Sequence, residues 1–200
     1  LVIMTKSTFF VEEDKILTTL FDEGMDNLHL FKPGSTPLYA ERLLSLIPED
    51  YYRKITVHDH FYLKNEYDLA GIHLDSADTE IPNNYKGKIG RTCTDIQMLK
   101  EMKKKSSCVF LKNIFDCIEF SEEKKTFTQQ QLEDAADKGL IDRHVYALGC
   151  MSPANVRMAK TLGFGGVVIC GDLWSRFDIH NQTDFKELIA HFEKLRNAVR

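Results

Sequence analysis

The chain has 200 residues, with Lys+Arg 26 against Asp+Glu 30 for a net charge of −4, and 43% of it is hydrophobic against 28% charged. That is ordinary globular composition, enough to bury one core and short enough for a single domain over residues 1–200. It argues against a general nucleic-acid binder, which would show a basic face. No apolar run approaches the roughly 18 residues that cross a bilayer, so neither nucleic acid nor membrane is an expected partner.

The opening run Leu1–Met4 is the first candidate strand and is too short for the apolar centre of a signal peptide. Helical spacing follows over Glu12–Phe21, with Ile16, Leu17, Leu20 and Phe21 on one stripe. The strand Asn27–Phe31 precedes a helix over Pro37–Ile47, and the strand Ile55–His58 is separated from Gly71–Leu74 by room for only a short helix. Next come the strand Lys88–Arg91 and a helix over Thr94–Lys104, N-capped by Thr94 or Asp95. The strand Cys108–Leu111, a helix over Thr128–Ala136, the strand His144–Leu148 and a helix over Pro153–Leu162 continue the alternation. The strand Gly166–Cys170 and a last helix over Asp184–Ala198 complete it.

Several of these strands are continuously apolar, as strands covered on both faces should be. Eight strand signals alternating with helices predict an α/β chain, a single-domain (β/α)8 TIM barrel near the lower size limit of that fold. An open doubly wound sheet is the competing arrangement. The five cysteines (Cys93, Cys108, Cys117, Cys150, Cys170) are odd in number and lack a C-x-x-C pair. That pattern predicts reduced thiols and a cytoplasmic location.

In a parallel barrel the chemistry sits where strands end at their C-terminal side. There the sequence reads His29-Leu30-Phe31-Lys32-Pro33, Val57-His58-Asp59, Gly71-Ile72-His73-Leu74-Asp75-Ser76-Ala77-Asp78 and Gly90-Arg91-Thr92-Cys93-Thr94. Further on it reads Gly149-Cys150 through Asn155 and Gly163 through Gly171. In order and spacing these resemble the thiamine phosphate synthase family and its thiazole tautomerase relatives over nearly the whole chain. The resemblance carries three main marks: Val57–Asp59, Gly71–Asp78, and Gly149 to Asn155 with Gly163–Val167.

The resemblance implies a transferase of thiamine biosynthesis that joins a pyrimidine diphosphate to a thiazole phosphate and releases diphosphate. It implies Mg²⁺ held by Asp59 and Asp78 against the departing diphosphate, because a hard cation binds carboxylate oxygens. Otherwise Asp59 caps the following turn and Asp78 ends a loop. Thr92 would stand near the diphosphate or the pyrimidine. Gly149, Cys150, Cys170 and Gly171 would cradle the thiazole phosphate through backbone N–H groups, unless these glycines only let the strands turn.

The departures are in the cations. Phe31 and Pro33 stand where the family has Arg and Lys, His58 replaces an Asn, and Asp75 is an extra acid. Lys32, Arg91, Lys112 and Lys124 are the candidate replacements, with His58 among the substrate contacts. Arg91 could instead pair with Asp75 or Asp59, and Lys124 lies in a charge run that suits a solvated loop. Thr94 stands where the tautomerases have a His, which leaves His29, His58 or His73 as the base for an isomerase. His73 on its apolar strand also reads as a satisfied interior histidine. A thiazole phosphate isomerase, and a barrel that binds thiazole phosphate without reacting it, are therefore the alternatives. A homodimer is compatible with all three.

Overall fold

The computed structural model describes residues 1–115, 126–176 and 184–200. Eight parallel strands close into one ring in chain order. They are β1 (Val2–Met4), β2 (Leu28–Leu30), β3 (Ile55–Val57), β4 (Gly71–Leu74), β5 (Lys88–Cys93), β6 (Cys108–Leu111), β7 (Val145–Leu148) and β8 (Gly166–Ile169). The ring closes where β1 pairs with β8, Val2 opposite Val168 and Ile3 opposite Ile169. The Trp174 indole N–H donates to the Met4 carbonyl at 2.7 Å across that seam. This is the (β/α)8 barrel expected from the alternation, and the closed ring removes the open-sheet reading.

The helices are α1 (Glu13–Asp22), α2 (Pro37–Leu46), α3 (Leu63–Glu66), α4 (Leu99–Lys104), α5 (Gln129–Asp137), α6 (Pro153–Thr161), α7 (Gly171–Trp174) and α8 (Asp184–Val199). Their starts follow from local chemistry. Asp95 accepts from the Gln97 N–H at 2.9 Å and caps a 3₁₀ turn, Ile96–Met98, that leads into α4. Thr128 and Gln131 exchange backbone-to-side-chain hydrogen bonds at the start of α5, a capping box. Among the described residues no helix is long and apolar enough to cross a membrane.

Alternation along each strand sorts the side chains into two cores. The outward set, including Ile3, Leu28, Leu30, Ile55, Val57, Ile72, Leu74, Val109 and Leu111, packs against helix residues such as Leu17, Leu20, Leu44, Leu99 and Leu132. The inward set fills the ring, with Val2, Met4, Phe110 and Val168 forming a smaller apolar cluster. Where a barrel of this kind usually stacks Val, Ile and Leu, β2, β3 and β4 instead send His29, His58 and His73 inward, all three buried.

Three cysteines, Cys93, Cys108 and Cys170, are free, as expected. Cys150 is not: it is disulfide-bonded, which corrects the expectation of reduced thiols throughout.

Candidate active site at the barrel mouth

Residues that continue the inward face past the strand ends line the mouth. On β2 this is Phe31, two residues beyond His29, and its ring meets the His58 ring edge-on at 5.4 Å. On β4 it is Asp75, two beyond His73, whose side chain is 40% exposed. The Asp75 carboxylate accepts from His58 Nδ1 at 2.8 Å and from the Thr92 hydroxyl at 3.3 Å. Thr92 Oγ1 lies 2.9 Å from His73 Nε2, and His58 Nε2 lies 2.9 Å from His29 Nδ1. One hydrogen-bonded chain thus runs from an exposed carboxylate into the barrel, joining His29, His58, Asp75, Thr92 and His73.

Burial drives this cluster's electrostatics. Loss of water, then the neighbouring His58 charge, holds the His29 imidazole well below its ordinary range. The same two causes, with His29 and Arg91 adding to them, act on His73. Both rings are therefore neutral at physiological pH.

His73 meets the expectation of a satisfied interior histidine only halfway, because its Nδ1 is buried without a partner. Gly90 on β5 makes room for that ring. A Cβ there would lie 2.3 Å from His73 Nδ1 and 3.2 Å from Cys108 Sγ. Gly90→Ala should cost about 1–3 kcal/mol by overpacking, read as a lower urea midpoint at unchanged slope.

The residues expected at the site fall into three groups. The turns after β7 and β8 come together, because these strands pair, with Leu148 opposite Val168. Gly149 and Cys150 both have positive φ, 119° and 45°, and a Cβ on Gly149 would come within 3.0 Å of the Asn113 backbone. Asn155 Nδ2 donates to the Cys150 carbonyl at 2.9 Å, tying this turn to the start of α6. After β8, Gly171 opens α7, a single short turn not foreseen from the sequence. Lys112 follows Phe110 by two residues and so continues the inward face of β6.

A second group is displaced from the mouth. Lys32 is not available to grip a diphosphate. It is 1% exposed, and its ammonium donates to Glu13 Oε1 at 2.6 Å and to the Thr8 carbonyl at 2.9 Å, over the Phe9 ring at 4.6 Å. It follows the inward Phe31 by one residue, and a one-residue step reverses the face. Arg91 is subject to the same rule: Thr92 faces inward, so Arg91 faces the helix layer opposite Leu74. Its Nε is buried without a partner, and among the described residues it forms no ion pair with Asp59 or Asp75. His58, expected to touch substrate, is buried with both ring nitrogens engaged. Lys124 lies outside the described residues.

The two carboxylates expected to hold a metal form the third group. Asp59 directly follows His58 after β3, and its Oδ2 is buried with no hydrogen-bond partner. An orphaned carboxylate oxygen of that kind suits a hard cation. Asp78 lies in the exposed β4–β5 loop, where its backbone N–H donates to Ser76 Oγ at 3.2 Å. What sequence reasoning missed is Asp75 as the hub of the mouth. The signal was present in the two-residue spacing from His73, which puts both on one face.

No family model and no curated protein matches the chain. Among solved structures, a thiamine phosphate pyrophosphorylase from Bacteroides thetaiotaomicron is 42% identical over 99% of this chain and 96% of its own, with a TM-score of 0.89. The chain belongs to the thiamine phosphate pyrophosphorylase family. A thiamine phosphate pyrophosphorylase from Pyrococcus furiosus shares the fold at 16% identity and a TM-score of 0.72, covering 99% of this chain and 94% of its own. A 3-hexulose-6-phosphate synthase shares it at 13% identity and a TM-score of 0.64, covering 100% and 99%. These two show the barrel alone.

Proposed function

We propose that this member of the family joins a pyrimidine diphosphate to a thiazole phosphate. The bond from the pyrimidine methylene carbon to the diphosphate oxygen breaks, and the thiazole nitrogen supplies the electron pair of the new bond. The observation that supports this best is the likeness, over 99% of the chain, to a protein named for that activity.

Backbone N–H groups at Gly149–Cys150 and Cys170–Gly171 hold the thiazole phosphate on the β7–β8 side. Lys112, two residues beyond the inward Phe110, is the cation this reading assigns to that end. Asp59 and Asp78 are the residues that would hold Mg²⁺, whose chemistry here is to neutralise charge on the leaving diphosphate. Asp75 orients Thr92 through its hydroxyl, so that Thr92 acts as a positioning residue at the diphosphate end.

Purified protein given both precursors and Mg²⁺ should release diphosphate. Asp59→Asn should slow that release about 100-fold, the equivalent of about 3 kcal/mol of charge stabilisation. No diphosphate from the unsubstituted protein would end this reading.

One observation favours a second reading, a barrel that binds thiazole phosphate without reacting it. The β2 end offers Phe31 at the mouth and withdraws Lys32 into an ion pair. That barrel would bind the phosphate equally well with and without Mg²⁺, so calorimetry in both conditions separates the two.

A further inference from the structure

We propose that His29, His58 and His73 form a binding site for a divalent transition-metal ion of the Zn²⁺ class inside the barrel, one layer below the mouth. Each imidazole offers one nitrogen, and these three atoms lie within 4.8 Å of one another. A tetrahedral Zn²⁺ with Zn–N bonds of about 2.0–2.1 Å spaces its nitrogens roughly 3.3 Å apart. The separation of 2.9 Å between His29 Nδ1 and His58 Nε2 and the 4.8 Å limit bracket that spacing.

The hydrogen bonds around His58 and His73 set the tautomers of these two rings in the sense a metal needs. Asp75, as an acceptor-only carboxylate, takes the proton of His58 Nδ1 and leaves Nε2 as a lone pair. Thr92 donates its hydroxyl proton to Asp75 and so accepts from His73 Nε2, leaving His73 Nδ1 as a buried lone pair without a partner. A carboxylate orienting an imidazole from behind is the usual outer support of a metal-bound histidine. His29 becomes a ligand by carrying its proton on Nε2 instead of Nδ1, so no net proton is released.

The donor set also names the ion. Three neutral nitrogens and no directly presented carboxylate oxygen suit Zn²⁺ or Co²⁺ and do not suit Mg²⁺, which demands oxygen. An apolar filling would be the cheaper core, since a buried nitrogen without a partner has lost its water and gained no hydrogen bond. The polar layer is thus better accounted for by a ligand than by packing.

Chelator-treated full-length protein, titrated with Co²⁺, tests the proposal. One equivalent should produce the intense visible bands of a low-symmetry cobalt site, which Zn²⁺ abolishes and Mg²⁺ leaves untouched. Zn²⁺ should also raise the melting temperature, as any ion bound only by the folded state must. Asp75→Asn should weaken Co²⁺ binding 10- to 100-fold through the lost outer support. Asp59→Asn should leave the bands unchanged, which keeps this outcome separate from that of the proposed Mg²⁺ site. In the unsubstituted protein, Co²⁺ should paramagnetically shift the ring protons of three histidines. Absence of the bands, fewer than three shifted histidines, or bands that survive His29→Gln with His73→Gln would overturn it.

Discussion

Replacing Lys32 by alanine is expected to destabilise the barrel by about 3–5 kcal/mol, the usual result of stranding one partner of a buried ion pair. Lys32 and Glu13 meet at 2.6 Å with side chains each 2% exposed. Burial pushes the Glu13 carboxyl up and the Lys32 ammonium down, both toward their neutral forms, and the mutual attraction opposes the two shifts. Glu13 Oε2 already lacks a hydrogen-bond partner, so removing the ammonium leaves the carboxylate with only the weaker pull of Lys6.

Urea denaturation of the variant measures the loss. The double replacement Glu13→Leu with Lys32→Met should recover most of it, because paired apolar groups avoid the desolvation cost. A Lys32→Ala protein of unchanged stability that has lost activity would return Lys32 to the catalytic site. The pair fastens the β1–α1 loop to the end of β2, and that is its role in the fold.

Acid should weaken the protein steeply. His29 and His73 titrate well below their ordinary value in the folded chain and near 6.5 when unfolded. Their folded pKa values are depressed, so their share of stability is present above pH 6.5 and is lost as pH falls below it, where only the unfolded chain takes up protons. Between pH 7 and pH 5 stability should therefore fall as the unfolded chain, and not the folded one, takes up these protons. Denaturant midpoints measured across that range in EDTA should show the slope, and His29→Gln with His73→Gln should flatten it. An unflattened slope would mean that other groups carry the acid sensitivity.

The ring was legible because its strands are short apolar runs separated by turn residues. All eight expected strands, from Leu1–Met4 to Gly166–Cys170, meet an observed one within a residue or two at each end. The helix α7 escaped because four residues carry no period to detect.

The site was legible in part. That Gly149, Cys150, Cys170 and Gly171 would sit together on neighbouring turns could be read from the strand ends alone, since β7 and β8 pair. Lys32 and Arg91 misled because charge type is visible in a sequence while facing is not: each lies one step from an inward neighbour, Phe31 or Thr92. The histidine cluster was harder still. Each strand supplies a single His, and only the lateral register, with His29 opposite Thr56 and His73 opposite Gly90, brings them to neighbouring levels. The Cys150 disulfide could not be read from spacing, since distant cysteines meet only after folding.

Because Val2 and Ile3 find their partners on β8, β1 must wait until the other seven strands have been made before its outer amides and carbonyls are covered. Chains stalled before Gly166 therefore present two bare sheet borders, on which another chain can pair.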